Sequence, residues 1–140
     1  MRRKRHFTLV EILVVIVIIG LLTGIGLPVY ISHMKKARVS AAQAQIATFH
    51  QAVLSFSMDM KRIPDGNIGL TELLENPSGS EKWKGPYLEV YEIPLDPWDN
   101  EYVYTTDNNG RFEITSYGAD GQPGGAEDNA DITNKGIKKN

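Results

Sequence analysis

Residues 7–34 read FTLVEILVVIVIIGLLTGIGLPVYISHM, and this stretch decides the architecture. From Ile12 to Met34 there are 23 residues without Asp, Glu, Lys or Arg, and Ile12–Ile19 is unbroken Ile, Leu and Val. As a helix rising about 1.5 Å per residue, that length crosses a hydrocarbon core of ~30 Å. The preceding block Met1–His6 carries Arg2, Arg3, Lys4 and Arg5, and such positive charge stays on the cytoplasmic side of a membrane. The expectation is a single crossing, with the N-terminus inside and the remaining chain outside. A cleaved secretory signal fits the basic start but not the long apolar run, and no small-x-small cleavage site follows Gly24-Ile25-Gly26-Leu27-Pro28.

Glu11 interrupts the apolar pattern. A carboxylate carried into the bilayer costs about 2.5–3.5 kcal/mol, less near the interface. Two roles are open to it. It can sit at headgroup level and favour the helix start, where negative charge is stabilised. Alternatively it awaits a positive group from another chain, in a buried pair that sets register. Further along, Gly20, Gly24 and Gly26 each lower helix propensity by ~1 kcal/mol relative to alanine, and Pro28 removes a hydrogen bond. Gly20–Pro28 is thus the weakest part of the helix, although Gly20-x-x-x-Gly24 also reads as a close-packing face.

Beyond Lys35 the pattern changes without a turn signal. Val39, Ala42, Ile46, Phe49, Val53, Phe56 and Met60 recur at alternating spacings of three and four, one apolar stripe on an amphipathic helix. Ser40, Gln43, Gln45, Gln51, Ser55 and Asp59 fill much of the other face. The stripe lacks the systematic flanking charges of a coiled coil, so it is assigned to the core of the same chain. One helix from Phe7 to Met60 is on the order of 80 Å long.

Arg62-Ile63-Pro64-Asp65-Gly66 ends that helix, and Gly69–Glu75 reads as a short second one. Leu88–Ile93 alternates loosely, and Pro94 and Pro97 bracket Asp96 in an irregular connection. Glu101–Thr105 and Arg111–Ser116 have strand composition, with the hairpin signal Asp107-Asn108-Asn109-Gly110 between them. The fold class is therefore α+β: a long N-terminal helix, half transmembrane and half amphipathic, packed on a small antiparallel sheet.

Composition narrows the chemistry. Absence of cysteine excludes a disulfide scaffold, a zinc–thiolate site and a thiol nucleophile. The net charge of −2 conceals a basic leader on an acidic remainder, with nine acidic residues and only Arg111 basic between Asp96 and Asp131. A nucleic-acid binder would concentrate the opposite sign on its folded part. An enzyme is not expected either: beyond the leader only His33 and His50 remain, both within the helix, with no Ser–His or Cys–His pairing. The segment 116–132, SYGADGQPGGAEDNADI, holds four glycines and four carboxylates. Hard oxygen ligands without His or Cys on an irregular, glycine-rich loop favour Ca²⁺ over Mg²⁺, although the EF-hand spacing is absent. A solvated acidic turn is the alternative.

The basic leader followed by Phe7-Thr8-Leu9-Val10-Glu11 and the Ile/Leu/Val run resembles the signal of type IV pilins and type II secretion pseudopilins. Gly85-Pro86-Tyr87-Leu88, Asp96-Pro97-Trp98, Ser116-Tyr117-Gly118-Ala119-Asp120-Gly121 and Ala130-Asp131-Ile132 extend the resemblance, specifically to the major pseudopilins, over nearly the whole chain. It implies a leader 1–6 cut between His6 and Phe7 by a prepilin peptidase, with methylation of the new Phe7 amine. It implies a transmembrane and assembly helix 7–34 and a periplasmic head 35–140, anchored in a bacterial inner membrane. In this reading Glu11 pairs with the Phe7 amine of a neighbouring subunit, and the stretch Gly20–Pro28 loses helical order on assembly.

The resemblance further implies a homopolymeric pseudopilus that drives type II protein secretion, with other pseudopilins and an inner-membrane assembly platform as partners. A type IV pilin or minor pilin of an adhesion or DNA-uptake filament is the alternative; such pilins often pin the C-terminal region with a disulfide, which this chain lacks. One structural calcium is implied in the C-terminal loop. Asp120 is its first ligand, Asp128 or Asp131 lies at the far end, and the Tyr117 and Gln122 carbonyls are further ligands. Two departures stand out: His6 where such leaders end in glycine, and Asp99 where the family often reads DPWGN.

Overall fold

The computed structural model describes residues 8–107 and 109–137. The hydroxyl of Thr8 accepts the Glu11 backbone N–H at 3.2 Å, the contact of an N-cap, and helix α1 follows over Leu9–Met60. Phe7, expected as its first residue, lies outside the described residues. Pro28 lies inside α1, and the Thr23 hydroxyl donates to the Ile19 carbonyl one turn back at 2.7 Å. The chain divides into two units, Met1–Lys36 and Ala37–Asn140. In the first, the Leu, Ile and Val side chains from Leu9 to Leu22 are all exposed. A Cβ added at Gly20 or Gly24 would meet nothing within 4 Å.

In the second unit the apolar stripe turns inward as its spacing predicts. Ala42, Ile46, Phe49, Val53 and Phe56 are buried, joined by Ala52, and Val39 and Met60 pack at the margins. The stripe meets Leu70, Leu73, Leu88, Tyr102, Ile114 and Ile132. Phe49 meets the Tyr102 ring edge-on at 5.1 Å and Phe56 meets Tyr87 at 5.6 Å. Edge-to-face rings are worth about 0.5–1.5 kcal/mol beyond the area they bury. Lys61 stops the helix in a left-handed conformation, φ 58°, with its N–H on the Ser57 carbonyl at 3.0 Å. A glycine more commonly fills that position.

The short second helix is a 3₁₀ turn over Gly69–Leu73. Leu88–Ile93 forms no strand: Leu88 is buried while Val90 and Tyr91 are exposed on a bent segment. The expected hairpin is present as β1 (Val103–Thr106) and β2 (Phe112–Ser116), with Tyr104 opposite Ile114. The Asp107 carboxylate closes it by accepting the Asn109 and Arg111 N–H groups. Two further strands of two residues each, β3 (Ile132–Thr133) and β4 (Gly136–Ile137), complete an antiparallel sheet in the order β1-β2-β3-β4. Ser116 pairs with Ile132, so the far end of the acidic loop returns beside its beginning.

Candidate functional site

Two regions carry the residues singled out above. In the first, Glu11 is exposed in the first turn of α1, three residues after the Thr8 cap. The Thr8-x-x-Glu11 spacing is that of a capping box, a local signal overlooked when Glu11 is read only for charge. His6 and Phe7, the processing positions, lie outside the described residues.

The second region is the loop between β2 and β3. It opens with a 3₁₀ turn over Gly118–Asp120 and closes with another over Glu127–Asn129. These turns lie in contact. A Cβ on Gly118 would stand 2.5 Å from the Asp128 carbonyl oxygen, and one on Gly125 would overlap the Asn129 carbonyl. Gly118, Gly121, Gly124 and Gly125 all have positive φ. Only glycine meets both requirements at Gly118 and Gly125 at no steric cost.

The predicted ligands are distributed unevenly. Asp120 and Gln122 are exposed, and the Asp120 carboxylate accepts the Gln122 N–H at 3.2 Å. Tyr117 and Asp128 are half-buried. Asp131 is only 5% exposed and accepts the Gly124 N–H at 3.0 Å. Among the described residues no cation pairs with Asp131, and no group of three His, Cys, Asp or Glu side chains gathers at metal-binding distances. Asp131 is thus a buried carboxylate beside a tightly folded backbone, and oxygen donors without His or Cys are the kind that Ca²⁺ accepts.

A network beneath this loop is legible only in the structure. Asp96 is 4% exposed and its carboxylate accepts the Trp98 and Asn100 N–H groups, both at 2.9 Å, and the Ser116 hydroxyl at 2.6 Å. Burial and then the Asp96 charge push the neighbouring Tyr102 phenol up to about 12. Asp99, where a glycine was expected, takes the left-handed conformation at φ 69° and the turn stays closed, with Asp96 N–H on the Asn100 carbonyl at 2.8 Å. Short side chains such as Asp tolerate that region through local hydrogen bonds. A second buried carboxylate, Glu72, receives both guanidinium nitrogens of Arg62 at 2.8 Å and the Asp65 N–H at 2.8 Å. The Trp83 indole donates to the Glu72 carbonyl at 3.0 Å, tying the following loop back to the 3₁₀ turn.

Comparison with known proteins matches residues 29–135 to the family described as type II secretion system (T2SS), protein G. Residues 1–27 match the prokaryotic N-terminal methylation motif. A type II secretion system core protein G of Pseudomonas aeruginosa is 36% identical over 138 residues, covering 95% of this chain and 96% of that one. The protein of the same name from Escherichia coli K12 is 36% identical, covering 98% and 94%, and that of Vibrio cholerae is 33% identical, covering 99% and 96%. Among solved structures, the major pseudopilin from the type 2 secretion system of enterohaemorrhagic Escherichia coli shares the fold, with TM-score 0.57 at 21% identity over 74% of this chain and 91% of that chain. The protein G match decides between the two filament readings, against the adhesion or DNA-uptake pilin. With the long helix, the small antiparallel sheet and the methylation motif in one chain, this protein belongs to the type II secretion system protein G family.

Proposed function

We propose that the chain is a major pseudopilin subunit, stored in the bacterial inner membrane and polymerised into a periplasmic pseudopilus that drives type II secretion. The observation that carries this reading is the methylation motif at 1–27 followed by the protein G match at 29–135, with the Leu, Ile and Val side chains of Leu9–Leu22 exposed among the described residues. The helix is long and apolar enough to cross a membrane. The role is structural rather than enzymatic.

Prepilin peptidase cuts between His6 and Phe7 and methylates the Phe7 amine. In lipid the apolar faces of α1 gain nothing from leaving water, so association rests on close packing and on polar pairs. Gly20 and Gly24, open to 4 Å, let a neighbouring helix approach closely. Glu11 pairs with the Phe7 amine of that neighbour, which neutralises a charge otherwise costly to bury. Pro28 and the glycines before it let the segment loosen as subunits pack.

Asp120, Asp131 or Asp128, and the Tyr117 and Gln122 carbonyls would hold a calcium ion there, which would neutralise the loop's charge. Pairing of Ile132 with Ser116 keeps the far end of the loop on the sheet, and the Gly124 N–H donates to the Asp131 carboxylate at 3.0 Å. Mass spectrometry of the membrane-extracted protein tests the processing claim: loss of Met1–His6 plus one methyl group is expected, and an intact leader contradicts it.

A further inference from the structure

We propose that Asp96, Asn100 and Ser116 are positioning residues for the calcium loop, pre-shaping its near wall before any ion arrives; this rests on the calcium reading above. Asp96 does not itself bind the ion in this scheme, because both its oxygens are already engaged. One accepts the Trp98 and Asn100 N–H groups at 2.9 Å and the other the Ser116 hydroxyl at 2.6 Å. The Ser116 oxygen in turn accepts the Gly118 N–H at 3.3 Å. From the other side the Asn100 amide donates to the Gly118 carbonyl at 2.8 Å. Gly118 is therefore held at both of its backbone polar groups, through two side chains anchored on one buried carboxylate.

The next left-handed glycine, Gly121, also rests on Asn100: a Cβ there would stand 3.0 Å from the Asn100 side-chain oxygen. The Tyr117 carbonyl lies between Ser116 and Gly118 in sequence, and Asp120 lies between Gly118 and Gly121. Both proposed ligands of the near wall are thus bracketed by residues this network fixes, while neither is touched by it. Ligands held in place before binding lose less conformational entropy when the ion arrives, so affinity rises without a new contact to it.

The test uses the matured full chain in detergent, titrated with calcium by calorimetry and melted in calcium and in chelator. Asn100→Asp removes the donor to Gly118, and Ser116→Ala removes the hydroxyl link. Each is expected to weaken calcium affinity tenfold or more, while the melting temperature in chelator moves by only a few degrees. Equal melting losses with and without calcium, at unchanged affinity, would mark the network as merely structural and overturn the proposal. A wild-type protein that shows no calcium binding at all overturns the calcium reading itself, a separate outcome. Hydrogen exchange on the wild type keeps the idea testable if a variant does not fold: slow exchange at Gly118 and Asn100 in chelator is expected, and fast exchange contradicts pre-shaping.

Discussion

Glu72 is only 2% exposed, yet it is ionised, because two Arg62 nitrogens and the Asp65 N–H all donate to it. The Arg62 hydrogen bonds, opposed by burial and helped by Asp65, hold its carboxyl below the usual glutamate range. A lowered folded-state pKa means this pair stabilises the head fully above the ordinary glutamate pKa of about 4.3. That stability is lost as pH falls through the folded value. Glu72→Gln should cost about 1–3 kcal/mol at neutral pH by urea unfolding. Its stability should also fall less steeply than wild type between neutral pH and the acid range; parallel curves would contradict the pairing. Neither partner was legible in the sequence. Arg62 looks like an ordinary charge after a helix end, and Glu72 sits in an apolar run where only tertiary packing aims its side chain inward. Asp96 was quoted for its motif, but its bond to Ser116 spans twenty residues and no local pattern encodes it.

At the scale of elements, the three-and-four spacing identified the buried face of α1 because helical geometry converts that period into a stripe. It omitted Ala52, whose small side chain looks neutral in a sequence but is buried beside Val53. Phe49→Ala should cost about 3–5 kcal/mol, read as a lower urea midpoint, since Phe49 is fully buried against Tyr102. Lys61→Gly should instead stabilise by roughly 1 kcal/mol, because Lys61 ends α1 in a left-handed conformation that disfavours a Cβ; a lower midpoint would contradict that cap. The β1–β2 hairpin announced itself through strand composition and turn residues. The two-residue strands β3 and β4 could not, being too short to alternate and defined only by pairing onto β2 and each other. Leu88–Ile93 shows the reverse: loose alternation without a partner strand yields a bent segment.

For the whole molecule, the N-terminal stretch was the most legible part, and the proposed function places its partners in other copies of the chain. Composition marks it as long and apolar enough to cross a membrane, and the Leu, Ile and Val side chains of Leu9–Leu22 are exposed in the fold. The acidic loop was legible as a candidate site through its glycines and carboxylates, but its partition into a buried Asp131 and an exposed Asp120 was not. If the loop holds calcium, saturation at about a hundredfold over Kd contributes ~2.7 kcal/mol, a melting shift on the order of 10 °C for a head of this size. Chelator should remove that shift, and Asp120→Ala should abolish the response. An unchanged wild-type melt would defeat the calcium claim while leaving filament assembly untouched.

The proposed assembly rests on the Glu11 pair, and Glu11→Ala in cells carrying the rest of the secretion machinery tests it most directly. The expected variant enters the membrane and loses its leader, yet forms no pseudopilus and exports no cargo. Normal filaments and normal export from that variant would contradict it.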